Sequence, residues 1–281
     1  MTTVDIEKVV RIVRDVAAAE ILPRWRNLAE GDVTTKEGAG LVTVADHAAE
    51  AALTELLAGL LPGSVVVGEE AVAADPGVLQ RLGDREPVWV IDPIDGTRKF
   101  ADGEPTFDVM VALVVGGRPV AGWIYAPAED VLYVGEQGAG SRVRSPGGDR
   151  TISAPAGLPL SEMEGIVSPG AFTSRGQPDP AAVRDRFRNY VRHQCAGHNY
   201  GRLFLDESQF LINFSTFAWD HLPGLAIASA AGFHAARHDA APFDPLDAKG
   251  GVLVAPDRAS WQGIRALLLD REPAAGLPRR Q

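Results

Sequence analysis

Acidic residues stand at the ends of two apolar segments of this sequence. Glu69 and Glu70 follow a run of three valines. Asp92 follows a second apolar run, and Asp95 comes three residues later. Carboxylates gathered at the ends of adjacent buried strands repel one another unless a cation neutralises them, and Mg²⁺ prefers such oxygen ligands. Each motif alone is better explained by an exposed turn, since most acids lie on protein surfaces. Their combination predicts a divalent-metal site.

The second pair of acids lies in a turn-forming segment. Pro93 cannot donate to a sheet ladder, so the strand is expected to break after Asp92. Gly96 permits a tight turn in which the backbone approaches a ligand closely. Asp92 and Asp95 are therefore expected to converge on one point from a bent loop.

The elements that position these acids follow from hydrophobic periodicity and turn residues. Helices come first, then strands, then a mixture, which indicates a layered α/β or α+β architecture. A segment rich in Pro, Gly and Ser at 145–162 predicts a boundary between two lobes, 1–150 and 151–281. The predicted helices span 6–23, 43–60, 179–191, 222–231 and 260–269, the last capped by Ser260. The predicted strands span 65–67, 88–91, 109–115, 119–125, 131–134, 210–214, 233–236 and 252–254.

Composition excludes several classes of protein. The 281 residues are 46% apolar and 23% charged, which is ordinary for a globular chain. The net charge of −10 argues against nucleic acid and anionic membranes as partners. The one cysteine, Cys195, excludes an internal disulfide or a zinc site built from cysteines. The longest apolar run, 109–115, is too short for a membrane span, so a cytoplasmic protein is expected.

Three motifs resemble the inositol monophosphatase family of Mg²⁺-dependent, lithium-sensitive phosphatases. They are Gly68-Glu69-Glu70, the run Trp89-Val90-Ile91-Asp92-Pro93-Ile94-Asp95-Gly96-Thr97, and Trp219-Asp220 opening a small-residue helix; Lys36 followed by 41–46 is a softer match. The resemblance implies an α/β (α+β) fold, the layered αβαβα sandwich of the inositol monophosphatase and fructose-1,6-bisphosphatase type. It also implies Mg²⁺-dependent hydrolysis of a small phosphorylated metabolite, a sugar or polyol phosphate, by a homodimer.

The resemblance assigns roles to matching residues. The implied metal ligands are Glu69, Glu70, Asp92, the Ile94 carbonyl, Asp95 and Asp220. They would hold two or three Mg²⁺ ions, with Mn²⁺ as a substitute and Li⁺ and Ca²⁺ as inhibitors. The implied catalytic residues are Glu69, Thr97 and Asp46, which would orient the attacking water. The implied substrate-binding residues are Lys36, Gly96, Thr97, His198, Asn199 and Asn213.

Three departures from the family pattern leave the substrate open. Gly197-His198-Asn199-Tyr200 stands where the family usually carries a small-residue Gly-Thr/Ser-Ala run. Asn213 stands seven residues before Asp220, where inositol phosphatases carry a Glu that binds ring hydroxyls. Arg98 and Lys99 follow the metal motif and would suit a second phosphate or carboxylate, although ordinary exposed charges explain them better. Fructose 1,6-bisphosphate, histidinol phosphate and 3′(2′),5′-bisphosphate nucleotides are the alternative substrates. A regulatory binding protein on the same scaffold is the alternative outside enzymes.

Overall fold

The computed structural model describes residues 4–36, 40–167, 185–192 and 194–270. Within them, two sheets and three helical layers alternate. The helices are α1 (Ile6–Val16), α2 (Val44–Leu60), α3 (Glu69–Ala74), α4 (Thr97–Ala101), α5 (Ala196–Phe204), α6 (Ala218–Ala230) and α7 (Arg258–Leu268). No described helix combines the length and apolarity needed to cross a bilayer.

The described strands form a hairpin and two sheets. The hairpin pairs β1 (Val33–Lys36) with β2 (Gly40–Thr43). The large sheet has the order β3 (Val65–Gly68), β4 (Val88–Asp95), β5 (Asp108–Val115), β6 (Arg118–Ala126), β7 (Val131–Glu136), β8 (Gly140–Ser145) and β9 (Gly148–Ile152). The small sheet has the order β11 (Asn189–Arg192), β10 (Glu164–Val167), β12 (Phe210–Asn213), β14 (Val252–Ala255) and β13 (His234–Ala236).

Alternating side chains of the large sheet build a core on each face. Trp89 and Ile91 of β4 join the cluster formed with α1 and α2. Val88 and Val90 face the opposite way, toward Leu222 of α6. Because successive strand residues point to opposite faces, a strand buried on both sides reads as an unbroken apolar run. The remaining buried clusters show that α5 and α6 lie between the two sheets and that α7 packs on the outer face of the small sheet. The layered sandwich expected from the sequence is confirmed.

A glycine in β6 determines how closely α6 packs against the large sheet. A Cβ built on Gly122 would lie 2.3 Å from the carbonyl oxygen of Pro223, closer than any real contact. The missing side chain therefore lets α6 approach the large sheet at this position. This contact fixes the helix that carries Asp220.

The structure corrects the prediction that β4 ends before Pro93. The strand continues to Asp95, with an irregularity between Asp92 and Asp95 where Val109 of β5 faces two residues of β4. Pro93 lies in this bulge, where a ladder hydrogen bond is not required of it.

Other corrections concern the second half of the chain. The predicted helix over 179–191 is wrong at its end, where Asn189–Arg192 forms a strand, and its part before residue 185 lies outside the described residues. The cap of α7 is Asp257, whose carboxylate accepts a hydrogen bond from Ser260 N at 2.7 Å, so Ser260 is not the cap. β9 runs across the predicted boundary at residue 150, and the division into two lobes stays a prediction.

Candidate metal and phosphate site

Parallel pairing of β3 and β4 brings the first acids together. Gly68 is paired with Ile91, so the next residue on each strand is an acid, Glu69 on one and Asp92 on the other. Glu69 opens α3 because Gly68 ends the strand in an extended conformation. The two carboxylates therefore meet at the carboxyl ends of neighbouring parallel strands, where α/β folds commonly bind ligands.

The bulge in β4 brings the next acid to the same side. Positions three residues apart in a regular strand point to opposite faces. One extra residue between Asp92 and Asp95 changes this parity, and both side chains line one cavity. Asp92 Oδ1 also accepts a hydrogen bond from Ile94 N at 3.0 Å, which holds the bulge in shape.

The last predicted ligand arrives from the layer between the sheets. Asp220, in the first turn of α6, lines this same cavity of about 440 Å³. We call it the acid cavity; its walls include Lys36, Glu69, Asp92, Ile94, Asp95, Gly96, Thr97, Phe217, Trp219 and Asp220. A second cavity of about 440 Å³, the Asn213 cavity, shares Asp95, Gly96 and Asp220 with it.

Burial and mutual repulsion dominate the electrostatics of these acids. Burial, followed by the charges of its acidic neighbours, holds the pKa of Asp92 well above its ordinary value. The same two causes raise the pKa of Asp220. Burial also raises the pKa of Asp95, against hydrogen bonds from the N–H groups of Gly197 and Ala196 that lower it. These carboxyl groups therefore favour a neutralising cation.

Lys36 supplies one positive charge to the group. Its Nζ lies 2.7 Å from Glu69 Oε1 and 2.8 Å from Glu70 Oε1. Burial alone would lower the pKa of Lys36, but the two carboxylates raise it overall. A single ammonium faces Glu69, Glu70, Asp92, Asp95 and Asp220, so most of their charge is left for ions to neutralise.

The donor set fits Mg²⁺ in chemistry. Every candidate ligand offers a hard oxygen, from a carboxylate or from the Ile94 carbonyl. Within the described part of the chain, however, the three potential ligand atoms found within 4.8 Å of one another belong to Asp108, Cys195 and His198. The acids of the acid cavity are spread more widely and would have to draw together around an ion.

Thr97 and Asp46 form a hydrogen-bonded pair beside the acids. Thr97 Oγ1 lies 3.2 Å from Asp46 Oδ1 and 3.0 Å from the Ile94 carbonyl oxygen, and its one proton can serve either acceptor. Asp46 is held by the N–H and the hydroxyl of Thr43, at 2.8 and 2.6 Å. Burial nevertheless raises the pKa of Asp46 to about 7.

Gly96 shapes the turn between the strand and α4. Its φ of +93° is in the left-handed region that favours glycine, and a Cβ there would lie 2.9 Å from the carbonyl oxygen of Thr106. Its backbone consequently lies at the edge of both the acid cavity and the Asn213 cavity.

The predicted substrate-binding residues separate in space. Asn213 lines its own cavity, and its buried Nδ2 has no hydrogen-bond partner among the described residues. His198 instead lines a third cavity of about 400 Å³, the His198 cavity, and Nδ1 of its ring lies 2.5 Å from Asp108 Oδ2. Asn199 is fully buried, and its Oδ1 accepts a hydrogen bond from Gln194 N at 3.1 Å.

Sequence reasoning missed two acids that support the site. Glu50 accepts hydrogen bonds from the N–H groups of Glu70 and Ala71, both at 2.8 Å, and so caps α3. Its signal was an acid four residues after Asp46 on the buried face of a predicted helix. Asp108 opens β5 opposite Asp95 in the register, which only the strand pairing reveals.

Known proteins resemble this chain over most of its described length. The family model described as "Inositol monophosphatase family" matches residues 4–271. A fructose-1,6-bisphosphatase/inositol-1-monophosphatase of Aquifex aeolicus is 30% identical over 201 residues, 68% of this chain and 70% of that protein. The chloroplastic bifunctional phosphatase IMPL2 of Arabidopsis thaliana is 27% identical over 72% of this chain, which spans just 56% of that relative's length.

Solved structures share the fold. The IMPase of Thermotoga maritima superimposes with a TM-score of 0.75 at 21% identity, covering 92% of this chain and 94% of that one. At this identity the likeness establishes the architecture.

Proposed function

We propose that this chain, which belongs to the inositol monophosphatase family and is a phosphatase, hydrolyses a small phosphate monoester with Mg²⁺ held in the acid cavity. The observation that carries the proposal is the convergence of Glu69, Asp92, Asp95 and Asp220 on one cavity, together with the raised pKa values of the Asp92 and Asp220 carboxyls. A phosphate dianion would be repelled by these acids without metal. Bound cations dominate the local field and reverse that repulsion.

The proposed ligands are those that the motifs predicted. Glu69, Asp92 and the Ile94 carbonyl would hold one ion, and Asp92, Asp95 and Asp220 a second, with Glu70 available to a third. When bound, the ions supply an acidified water and stabilise the leaving oxygen. Lys36 would then be released from part of its role as the counter-charge of Glu69 and Glu70.

The chain's own residues position the reaction. When the Thr97 hydroxyl donates to Asp46, its lone pairs are free to accept a proton of the attacking water. Glu69 accepts a hydrogen bond from the other hydrogen of the same water, so that the two residues together orient it. The backbone at Gly96 and Thr97 binds the phosphate. The water oxygen attacks phosphorus and gives up one proton to solvent, the ester P–O bond breaks, and the leaving oxygen takes one proton from solvent, giving an alcohol and inorganic phosphate without a covalent intermediate.

The Asn213 cavity favours a substrate with a second acceptor or anionic group. Asn213 Nδ2 is a buried donor without a partner in the described chain, where a Glu would have been an acceptor. Arg98 lines the same cavity, and within the described residues its guanidinium makes no hydrogen bond or ion pair. Lys99 lines it too, although its ammonium is bound to Glu104 at 2.7 Å. A bisphosphate or a phosphorylated carboxylic acid satisfies these donors better than the phosphate ester of an uncharged polyol.

Phosphate release from matched pairs of monophosphates and bisphosphates on one scaffold tests both parts of the proposal. Arg98→Ala should raise KM for the bisphosphate by about tenfold, the value of a charged hydrogen bond, and change KM for the monophosphate by less than about twofold. Arg118→Ala, an exposed arginine at the start of β6, is the control. Equal effects on both substrates would refute the anionic subsite. No metal-dependent release from any pair would refute the phosphatase proposal itself.

Other expectations from the sequence stay predictions. These are homodimerisation, a cytoplasmic location, substitution of Mn²⁺, and inhibition by Li⁺ and Ca²⁺.

A further inference from the structure

Three side chains with different donor atoms meet at the start of α5, where Cys195 lines the Asn213 cavity and Asp108 and His198 line the His198 cavity. His198 Nδ1 lies 2.5 Å from Asp108 Oδ2, and Cys195 Sγ lies 3.4 Å from the same oxygen. The potential ligand atoms of all three lie within 4.8 Å of one another. Asp108 and Cys195 are buried, and His198 is largely covered. The metal binding and phosphate hydrolysis proposed for the acid cavity do not involve these three side chains.

Local structure places the three together. Cys195 is the N-cap residue of α5, and His198 follows three positions later, so both side chains project from the same face of its first turn. Gly197 lies between them, and a Cβ on it would come within 2.6 Å of the Asp108 side chain. The glycine therefore allows the first turn of α5 to rest against the start of β5.

We propose that Cys195, His198 and Asp108 form a three-ligand Zn²⁺ site whose fourth position opens into the His198 cavity. Thiolate, imidazole and carboxylate are the ligands that zinc takes in proteins, at about 2.0–2.3 Å. One thiolate and one carboxylate balance the two charges of the ion, and a neutral imidazole adds none, so the occupied site carries no net buried charge. Binding releases the Cys195 thiol proton and any proton on His198 Nδ1 to solvent.

The geometry requires a small adjustment. Ligand atoms around a tetrahedral zinc lie about 3.3 Å or more apart, so the His198–Asp108 contact must open by about 1 Å. His198 borders the largely polar His198 cavity and has room to turn. The Cys195–Asp108 separation already matches that spacing.

The two sites would bind different ions because their donor atoms differ. The acid cavity offers oxygen alone, which suits Mg²⁺, whereas sulfur and nitrogen select borderline-soft ions such as Zn²⁺ and Co²⁺. The sites are nevertheless joined through α5, because Gly197 N donates a hydrogen bond to Asp95 Oδ2 at 2.5 Å. An ion on Cys195 and His198 would hold the turn that contacts a proposed Mg²⁺ ligand.

Cobalt spectroscopy tests the site without relying on phosphatase activity. Co²⁺ bound to a thiolate gives a near-ultraviolet charge-transfer absorption, and Co²⁺ in an oxygen site does not. The chain has one cysteine, so this absorption reports Cys195 alone, even with excess Mg²⁺ present. We expect the band to saturate at one Co²⁺ per chain and to disappear when one equivalent of Zn²⁺ displaces the cobalt.

Variants separate a built site from a solitary thiol. Cys195→Ser should lose the band, and His198→Gln should raise the Co²⁺ Kd by at least about tenfold, the lower end of what a supporting group contributes. His47→Gln, an exposed histidine of α2, and Asp92→Asn in the acid cavity should leave the band unchanged. Absence of the band in the folded wild type would overturn the proposal. So would an unchanged Kd in His198→Gln, or failure of Zn²⁺ to displace cobalt.

Discussion

Replacing Glu50 by Gln should weaken Mg²⁺ binding although Glu50 is not among the residues that line the acid cavity. Its two oxygens accept hydrogen bonds from the N–H groups of Glu70 and Ala71, which open α3 and have no partners within the helix. Gln keeps one accepting oxygen and turns an NH₂ toward the other donor. The lost hydrogen bond weakens the cap, whereas removal of a buried carboxylate, whose ionised form burial disfavours, offsets part of the loss in the free energy of unfolding.

The same change should reach the metal through the backbone of α3. This helix begins at Glu69, so loosening its cap moves two proposed ligands, and groups that orient ligands typically contribute 10–100-fold to metal affinity. We therefore expect the Mg²⁺ Kd of Glu50→Gln to rise by roughly tenfold or more. Isothermal titration at pH 8 measures it, because burial raises the pKa of the Glu50 carboxyl to about 7 and the group is ionised there.

A matched control lies on the same helix. Glu55→Gln removes an exposed charge of α2 and should change neither the Mg²⁺ Kd nor, beyond about 0.5 kcal/mol, the free energy of unfolding in urea. If Glu50→Gln binds Mg²⁺ like the wild type, the cap does not position the ligands and the reasoning fails. If Glu55→Gln weakens Mg²⁺ binding equally, the effect comes from the loss of one negative charge on α2 and not from the cap of α3.

Three further predictions follow from the buried acids and the packing of α6. Asp92→Asn should abolish Mg²⁺-dependent phosphate release yet raise the melting temperature of the metal-free protein at neutral pH, because it removes a carboxyl group whose ionised form is disfavoured by burial and by its acidic neighbours; retained activity would contradict its proposed role. In chelator, the free energy of unfolding should fall from pH 5 to pH 8. Burial raises the pKa values of Asp46 and Glu50 to about 7, so the native state binds more protons than the unfolded state; a rise in urea titrations would refute this. Gly122→Ala should lower the free energy of unfolding by about 1–3 kcal/mol, because its Cβ would meet the Pro223 carbonyl; unchanged urea unfolding would contradict the close approach.

Local patterns were enough to anticipate the first part of the site. Glu69 and Asp92 end apolar runs, and such runs form neighbouring strands whose ends meet, so their convergence needed no knowledge of the rest of the chain. The continuation of β4 through Pro93 was not predictable, because it depends on how β5 pairs around the bulge.

The region around His198 shows why the rest of the site escaped prediction. α5 contains two glycines, a histidine and an asparagine in nine residues, a composition with poor intrinsic helix propensity. Burial of Tyr200 and Leu203 between the sheets stabilises it as a helix, and this is a tertiary effect. Without that helix, His198 and Asn199 could only be grouped by their position in the chain, whereas the structure turns them to different surroundings.

The position of Asp220 has a consequence for the order of events in folding. Asp220 lies on α6, which packs against the large sheet and joins the same core as strands of the small sheet. The other acids of the cavity come from the start of α3 and from β4. Contacts between such distant segments form late, because the loop between them must be closed first. We therefore expect Mg²⁺ to meet its complete set of proposed ligands only late in folding. We expect Mg²⁺ to leave the refolding rate nearly unchanged and to slow unfolding. The ion would then stabilise the folded protein without directing how it folds.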